Sequence, residues 1–229
     1  MSRQILYRLL LFSVVLFGGC ELDNYNPPAS PLTGRLVFDG QPVGIRQGIN
    51  VLQLFQPGYE NTNPIPVRVM QDGSFSSMLF DGSYRLVRIA GNGPWDHRPD
   101  TILVDVRGAT TVDVPVTPYF SVSDAEFTVA NGVLTASCQV INNVAGRQLE
   151  SVVLLVGKRT LVDHIYRLTP ADPGSNKPGA QVDLADRVVL TQSLEGEPFA
   201  SEPHLFARIG VKAVGHPEYI YSPVWKVVR

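Results

Sequence analysis

The sequence predicts an all-β protein: two consecutive antiparallel β-sandwiches of the immunoglobulin-like kind, after an N-terminal signal and a short tether. Three observations lead to this fold class. Apolar residues recur at every second position in many short runs, which is the period of a half-buried strand, and no ten-residue helical pattern interrupts them. The 229 residues include 20 Gly and 18 Pro, enough to end such runs often. Asp-Gly and Asn-Gly pairs stand between the runs, and these pairs are typical of β-hairpin turns.

Composition limits the functions that the chain can have. Hydrophobic residues make up 44% of the sequence, so the chain can bury a core and is not globally disordered. Its 19 Lys and Arg against 21 Asp and Glu give a formal charge of −2. Because the chain lacks the basic excess that neutralises phosphates, we expect no nucleic-acid partner.

The N-terminus has the organisation of a secretory signal. Two arginines precede an apolar run over residues 9–17, which is too short to span a bilayer. Two glycines then precede Cys20, and this order resembles the lipobox of bacterial lipoproteins. The resemblance implies a signal peptide over residues 1–19, a lipid on the Cys20 thiol and a mature chain that begins there. The alternative is a hydrophobic N-terminal helix that ends at a chance cysteine.

Residues 20–31 are predicted to form an extended, lipidated tether, because they hold three prolines and show no hydrophobic period. Glu21 and Asp23 follow the cysteine, and acidic residues at this place resemble the surface-export signal of Bacteroidota lipoproteins. A solvated linker is the alternative interpretation of the same residues. We therefore expect an outer-membrane lipoprotein that is anchored to the membrane at Cys20. It is expected to face the cell exterior, with the periplasmic face as the alternative.

The first folded unit is predicted over residues 32–118. Asp-Gly pairs separate its apolar runs, and glycine accepts the positive φ that tight hairpin turns require. Strands are predicted over residues 33–38, 48–55, 64–70, 74–80, 83–89, 101–106 and 111–116. Short runs of this kind, divided by turn signals, predict an antiparallel sandwich.

The order of motifs in this unit resembles the carboxypeptidase-regulatory, transthyretin-like domains. A Gly-Arg-Leu-Val-Phe-Asp-Gly-Gln-Pro-Val opening, an Asp-Gly-Ser-Phe turn and an Asp-Gly-Ser-Tyr strand stand at residues 34–43, 72–75 and 81–84. With the leader, and with Gly-Pro-Trp at 93–95 and Val-Thr-Pro-Tyr at 116–119, the whole chain resembles a family of two-domain Bacteroidota lipoproteins of unknown function. Members of that family are often encoded beside Sus-type glycan-uptake components. The resemblance implies a location and Sus-type outer-membrane proteins as candidate partners, and it supplies no catalytic residues.

The second unit, over residues 119–229, is also predicted to be a sandwich. An Asn-Gly pair at 131–132 joins two alternating runs into a hairpin, and residues 150–157 form a long apolar strand. The run over residues 162–168 is the next predicted strand, and residues 171–181 form a loop. The last runs resemble the end of a fibronectin type III domain, which implies that fold for this unit.

Catalytic chemistry has little support in the sequence, and we expect a protein that is not an enzyme. None of the four histidines, at positions 97, 164, 204 and 216, stands in a zinc-binding motif. The sequence also contains no nucleophile-elbow or phosphate-loop motif. Asp163 and His164 could form half of a triad, but adjacent strand residues point to opposite faces. We predict no catalytic residue, no metal and no cofactor. Cys138 is predicted to be a small buried hydrophobe rather than a nucleophile.

Candidate ligand-binding residues lie on two loops of the first unit. Trp95 stands in a turn-rich loop, where its ring either plugs the end of the sandwich or stacks on the face of a sugar. Tyr59 lies on another loop that could reach the same end. Asn61, Asn63 and Asp96 would then bond to sugar hydroxyls.

Two functions remain open on this basis. The chain is either an accessory lipoprotein that binds glycans or contacts a Sus-type uptake complex, or a structural spacer or adhesion module without a ligand. An exposed Trp95 favours the first function and a buried Trp95 favours the second. Tyr221 and Trp225, four positions apart near the C-terminus, are predicted to share a strand face and to pack in the core or between the units.

Overall fold

The first unit is a two-sheet sandwich in the structure, a computed structural model that describes residues 26–58, 63–168 and 171–228. Its strands are β1 (Ser30–Phe38), β2 (Gln41–Pro42), β3 (Leu52–Phe55), β4 (Ile65–Val67), β5 (Ser74–Leu79), β6 (Gly82–Arg88), β7 (Ile102–Val106), β8 (Thr110–Thr111) and β9 (Val114–Pro115). One sheet has the order β2-β1-β5 with β8 and β9 beside β1, and the other has the order β4-β3-β6-β7. Between them lie fully buried side chains such as Leu36, Leu54 and Leu86. Strand β1 begins at Ser30, two residues before the predicted start of the unit.

The second unit is also a two-sheet sandwich. Its strands are β10 (Phe120–Ala130), β11 (Val133–Asn142), β12 (Leu149–Gly157), β13 (Asn176–Pro178), β14 (Val188–Ser193), β15 (Leu205–Ala213), β16 (Tyr219–Tyr221) and β17 (Trp225–Val227). One sheet has the order β10-β11-β14, and the other has the order β13-β12-β15-β16 with β17 also paired to β15. Two short 3-10 helices, Pro173–Ser175 and Gly179–Gln181, flank β13. The all-β, two-domain fold class that the sequence predicts is therefore confirmed.

Two of the predicted turns, one Asp-Gly and one Asn-Gly, are tight hairpin turns in the structure, whereas Asp81–Gly82 links β5 to β6 in the opposite sheet. Asp39 and Gly40 join β1 to β2 with φ of 48° and 74°, and Asn131 and Gly132 join β10 to β11 with φ of 48° and 72°. Positive φ at both central residues defines the type I′ turn, whose twist matches that of the strands it joins. These turns set the register of both hairpins.

One edge of the first unit departs from the predicted antiparallel pattern. The predicted strand over 111–116 is divided into β8 and β9, and both pair with β1 in the parallel direction, with Leu32 opposite Thr110 and Leu36 opposite Val114. The preceding strand, β7, belongs to the opposite sheet. Because the chain crosses from that sheet before it reaches β1, it can arrive there in the parallel direction.

Cys138 confirms its predicted role as a buried hydrophobe. The side chain on β11 has no exposed surface, and burial raises the pKa of its thiol to about 11. A thiol with such a pKa is almost entirely protonated at neutral pH and is therefore a poor nucleophile.

A single apolar core runs through both units. It includes Leu36 from the first unit, Ile209 from the second, and Val116, Tyr119 and Phe120 at the boundary between them. Of the residues that the structure describes, none belongs to a helix with the length and apolar character needed to cross a bilayer. The shared core fixes one unit against the other, and this fixed junction positions the features described next.

Candidate ligand-binding groove

The ring of Trp95 lies inside the protein, so the interpretation of this residue as a sugar-stacking platform is wrong. Its side chain is 4% exposed and belongs to the common core. The backbone of Trp95 bridges to Pro118 at the domain boundary, and Gly91 in the same loop accepts a hydrogen bond from His216 Nε2 in the second unit at 3.2 Å. The end of the first sandwich is therefore covered by the second unit. The indole ring plugs this end, as the alternative interpretation predicted.

Of the other residues predicted for the glycan site, the structure describes Asn63 and Asp96. Tyr59 and Asn61 lie outside the described residues. Asn63 and Asp96 are exposed, and the backbone N–H of Asp96 donates to the carbonyl of Thr117 at 2.9 Å. Because the Trp95 ring is buried, Asn63 and Asp96 do not flank an exposed indole face as the predicted site required.

Arg208 holds the two units together from a buried position on β15. Its guanidinium donates to two carbonyls of the first unit, Ile45 at 3.3 Å and Gln71 at 2.6 Å. It also donates to two carbonyls of the second unit, Ser222 at 2.6 Å and Val162 at 3.4 Å. Desolvation lowers the pKa of Arg208 to about 10, so the side chain still carries its charge at neutral pH. A cation with carbonyl partners from both units fixes their relative orientation.

Further contacts surround Arg208 at this junction. The guanidinium lies 4.5 Å from the ring centroid of Tyr221, whose backbone N–H donates to the Gly44 carbonyl at 2.9 Å. Arg46 of the first unit forms a two-point ion pair with Glu218 of the second, one arm of which measures 2.9 Å from Nε to Oε2. Tyr221 thus packs between the units, as predicted.

Trp225 has a different environment from Tyr221. It lies on β17 rather than on the same strand as Tyr221, and its ring stacks on that of Phe127 with 5.3 Å between centroids and 8° between planes. Trp225 therefore packs within the second unit, which agrees with the predicted core role but not with a shared strand face.

Residues 158–168, here called the strap, cross the outer face of the β12-β15-β16 sheet. Val162 of the strap is fully buried against Val153, Leu155 and Tyr221, and these four side chains form a second, smaller apolar cluster. The backbone N–H of Leu168 donates to the Val156 carbonyl at 2.7 Å and fixes the far end of the strap. The strap is thus attached to the sheet at several points along its length.

Asp163 gives the strap its shape. One carboxylate oxygen accepts the backbone N–H groups of both Ile165 and Tyr166 at 2.8 Å, while the side chain has no exposed surface. Such a turn satisfies backbone donors that a strand would have used in a ladder. The strand predicted over 162–168 is therefore wrong, since the Asp163 side chain competes successfully for the backbone.

His164 attaches the centre of the strap to Tyr221. Its backbone N–H donates to the Tyr221 hydroxyl at 3.3 Å, and its ring Nδ1 lies 2.8 Å from the same oxygen. The hydroxyl, which accepts the backbone N–H, can donate its own proton to Nδ1 when the imidazole is neutral. Burial lowers the pKa of His164 and raises that of Tyr221, which favours this neutral arrangement. The imidazole also stacks on Tyr219 at 5.0 Å.

With these anchors pointing inward, the strap presents its remaining side chains to a groove of about 530 Å³. The lining consists of Gly157, Lys158, Arg159, Leu161, Ile165, Tyr166, Arg167 and Leu168. Tyr166 is 57% exposed and Ile165 55% exposed. The volume lies within the ~300–1,000 Å³ of small-molecule sites. We call this feature the strap groove.

The strap groove is cationic. Lys158 lies 3.4 Å from the Glu202 carboxylate, measured from Nζ to Oε1, and is partly neutralised by it. Arg159 and Arg167 are exposed and make no ion pair within the described part of the chain. The lining includes no Asp or Glu. An aromatic face beside unpaired guanidinium groups is suited to ligands that have both an apolar face and polar or anionic substituents.

Sequence reasoning missed this groove because it assigned residues 162–168 to a strand. In a strand, neighbouring side chains point to opposite faces of the sheet. Tyr166 would then not share a surface with Ile165 and Arg167. The signal that could have revealed the strap is the Asp at 163, since Asp is depleted in strands and favoured in turns of this kind.

Within residues 26–58, 63–168 and 171–228, no three His, Cys, Asp or Glu side chains are grouped so that they could hold a metal ion. Asp163 and His164 use their side chains on different partners, the strap backbone and Tyr221. They do not form part of a triad.

Fold and site together define a two-domain β-sandwich protein with an open groove on its C-terminal unit. Comparison with known families places it more narrowly. The family described as protein of unknown function DUF3823, N-terminal domain, matches residues 30–117, and the C-terminal domain of unknown function of the same family matches residues 120–226. The chain belongs to the DUF3823 family.

Solved structures agree with this assignment. A DUF3823 family protein from Bacteroides ovatus is 36% identical, with a TM-score of 0.78 over 87% of this chain and 98% of that chain. A second, from Parabacteroides merdae, is 35% identical, with a TM-score of 0.77 over 89% and 100%. A third structure, from Bacteroides uniformis, is named "putative carbohydrate binding protein"; it is 20% identical, with a TM-score of 0.74 over 88% and 100%, and shows the same fold. No curated protein matched the chain.

Proposed function

We propose that this protein is a membrane-anchored accessory lipoprotein that binds carbohydrate in the strap groove and catalyses no reaction. The observation that carries the proposal is Tyr166, whose side chain is 57% exposed at the edge of a groove of about 530 Å³. A tyrosine offers a large, rigid face with a polar rim, and the C–H face of a sugar ring can stack on it. Ile165, also more than half exposed, extends the apolar surface beside the ring.

The attachment of the strap favours binding, because a rigid loop loses little conformational entropy when a ligand binds. The Asp163 carboxylate fixes the backbone of both Ile165 and Tyr166 through two hydrogen bonds of 2.8 Å. Val162, also in the strap, is fully buried and holds this segment against the sheet. The aromatic platform is therefore already in place before a sugar arrives.

The remaining parts of the proposal rest on the sequence and on the relatives. Lipid on Cys20 would anchor the folded body to the outer membrane, facing the cell exterior or else the periplasm. In that position it would deliver glycans to a Sus-type uptake complex or contact one directly. The Bacteroides uniformis relative, which carries a carbohydrate-binding name, supports a ligand of this class.

A structural spacer is the second candidate function, and the junction between the units favours it. Arg208 bonds to carbonyls of both units, and one apolar core continues across the boundary. A body with this rigidity would hold a partner at a fixed distance from the membrane even without a ligand. The buried Trp95 removes the predicted glycan site that had opposed this interpretation.

Isothermal titration calorimetry of the full-length chain in detergent micelles tests the proposal. The panel is dextran, xylan, polygalacturonate and chondroitin sulfate. Truncating an interface tyrosine often costs ~2 kcal/mol, so we expect Tyr166→Ala to weaken binding about thirtyfold. Phe80→Ala, which removes a 42% exposed aromatic on the first unit, is the matched control and should bind normally. Binding that survives Tyr166→Ala would refute the site, and no binding to any member of the panel would favour the spacer.

A further inference from the structure

We infer that the strap groove selects anionic saccharides, with the sugar ring on Tyr166 and its carboxylate or sulfate group beside Arg159 and Arg167. This inference rests on the proposed function and adds the chemical class of the ligand. It starts from charge: three of the groove's eight lining residues are cationic and none is acidic, although the whole chain has a formal charge of −2. The local excess therefore cannot be a reflection of overall composition.

The acidic residues near the strap leave most of this positive charge free. The Glu202 carboxylate forms an ion pair with Lys158, at 3.4 Å from Nζ to Oε1. Asp163 is buried inside the protein. Its carboxylate accepts hydrogen bonds from the strap backbone and interacts electrostatically with Arg208, so it does not neutralise the groove. Arg159 and Arg167 are exposed and lack an ion-pair partner among the described residues. These two guanidinium groups remain available to an external anion.

Guanidinium groups are suited to this ligand. Each offers a planar set of N–H donors that matches a carboxylate or sulfate at two points, and such bonds are stronger than those between neutral groups. A neutral sugar would leave both arginines without a charged partner and would use only the aromatic face. A polyanion without a sugar face would use the arginines but not Tyr166. The combination therefore favours a ring that carries an acidic substituent.

Calorimetry of the full-length chain against four polymers tests the inference. Polygalacturonate supplies carboxylates on sugar rings, chondroitin sulfate supplies sulfates as well, dextran is a neutral polysaccharide, and polyglutamate is an anion without sugar. We expect binding to one or both acidic polysaccharides, at least tenfold tighter than to dextran and to polyglutamate. The affinity should fall as salt rises, because exposed charges are screened.

Substitutions locate the anion within the groove. Arg159→Gln and Arg167→Gln should each weaken binding of the acidic polysaccharide about tenfold or more, since each removes a charge-assisted contact. Lys158→Gln should weaken saccharide binding less, because the Lys158 ammonium group is already paired with the Glu202 carboxylate. Arg68→Gln, at an exposed arginine of the first unit, is the matched control and should leave affinity unchanged.

The outcomes separate this inference from the function beneath it. Tyr166-dependent binding of dextran as tight as that of polygalacturonate overturns anionic selectivity and leaves carbohydrate binding intact. Equal binding of polyglutamate and polygalacturonate overturns it too, because the groove would then be a general anion surface. An absence of binding to all four polymers, together with xylan, overturns both. An unchanged affinity in both arginine variants places the anion elsewhere and refutes the site.

Discussion

Replacing Trp95 by Ala tests whether the first sandwich ends in a plug at the junction or in a ligand platform. The indole ring is 4% exposed in the common core. A tryptophan buries ~200 Å², and at ~25 cal/mol/Å² this area corresponds to about 5 kcal/mol. Measured losses for Trp→Ala in cores are ~3–5 kcal/mol. For a chain of this size each kcal/mol shifts Tm by ~2–4 °C, so a loss of ~3–5 kcal/mol should lower Tm by roughly 6–20 °C.

The assay is thermal and urea unfolding of the wild type, Trp95→Ala and Trp95→Phe, with glycan binding measured on the same samples below their transitions. Trp95→Phe keeps part of the ring and should lose clearly less stability than Trp95→Ala. Glycan affinity should be unchanged in both variants, because the strap groove lies on the second unit. A normal Tm with lost glycan binding in Trp95→Ala would refute the reasoning.

Gly93 provides an independent check on the same ring. A Cβ added at Gly93 would lie 2.1 Å from Trp95 Cζ2, so Gly93→Ala must displace the indole. We expect Gly93→Ala to destabilise the wild type but to cost much less in the Trp95→Ala background, where the ring is gone. Such non-additivity is what contacting residues show. Fully additive losses would contradict the packing described here.

Three further changes probe the anchor, the junction and the strap. Cys20→Ala should leave an uncleaved precursor without lipid, which cell fractionation and mass spectrometry can detect. Normal membrane partitioning of this variant would contradict lipidation. Arg208→Met should lower the free energy of unfolding by ~3 kcal/mol. Breaking a buried charged network typically costs ~3–5 kcal/mol, and the methionine side chain fills part of the vacated space. An unchanged urea midpoint would show that Arg208 does not hold the two units together. Burial lowers the pKa of His164 in the folded protein, so its stabilising contribution is complete above the unfolded pKa of ~6.5 and is lost as pH falls below it. Protection of strap amides from hydrogen exchange should therefore weaken between pH 7 and pH 5, and His164→Gln should remove this dependence; equal protection at both pH values would rule out His164 as an anchor.

The sequence was most informative where local chemistry determines the structure. The Asp39–Gly40 and Asn131–Gly132 turns follow from the positive φ that their residue types accept, and the paired strands extend from them. The parallel pairing of β8 and β9 with β1 was not predictable, because it depends on the path of the chain between two sheets rather than on any local run.

The candidate site was least predictable for a similar reason. The sequence around Trp95 is equally compatible with a plug and with a platform, and the choice depends on contacts with the second unit, such as that of Gly91 with His216. Residues 162–168 look apolar and strand-like until the competition between the Asp163 side chain and the strand ladder is considered. Contacts between the two units determine the burial of Trp95, and the Asp163 side chain determines the conformation of residues 162–168.

An amide chemical-shift map of the isotopically labelled chain, titrated with an oligogalacturonate, tests the central claim most directly. If the saccharide binds in the strap groove, amides of residues 158–168 shift in proportion to saturation, while those of residues 91–96 stay unchanged. Tyr166→Ala should strongly reduce the shifts at saccharide concentrations near the wild-type Kd, because its affinity is expected to fall about thirtyfold. Shifts confined to residues 91–96, or to any surface other than the strap, would contradict the assignment of carbohydrate binding to this groove.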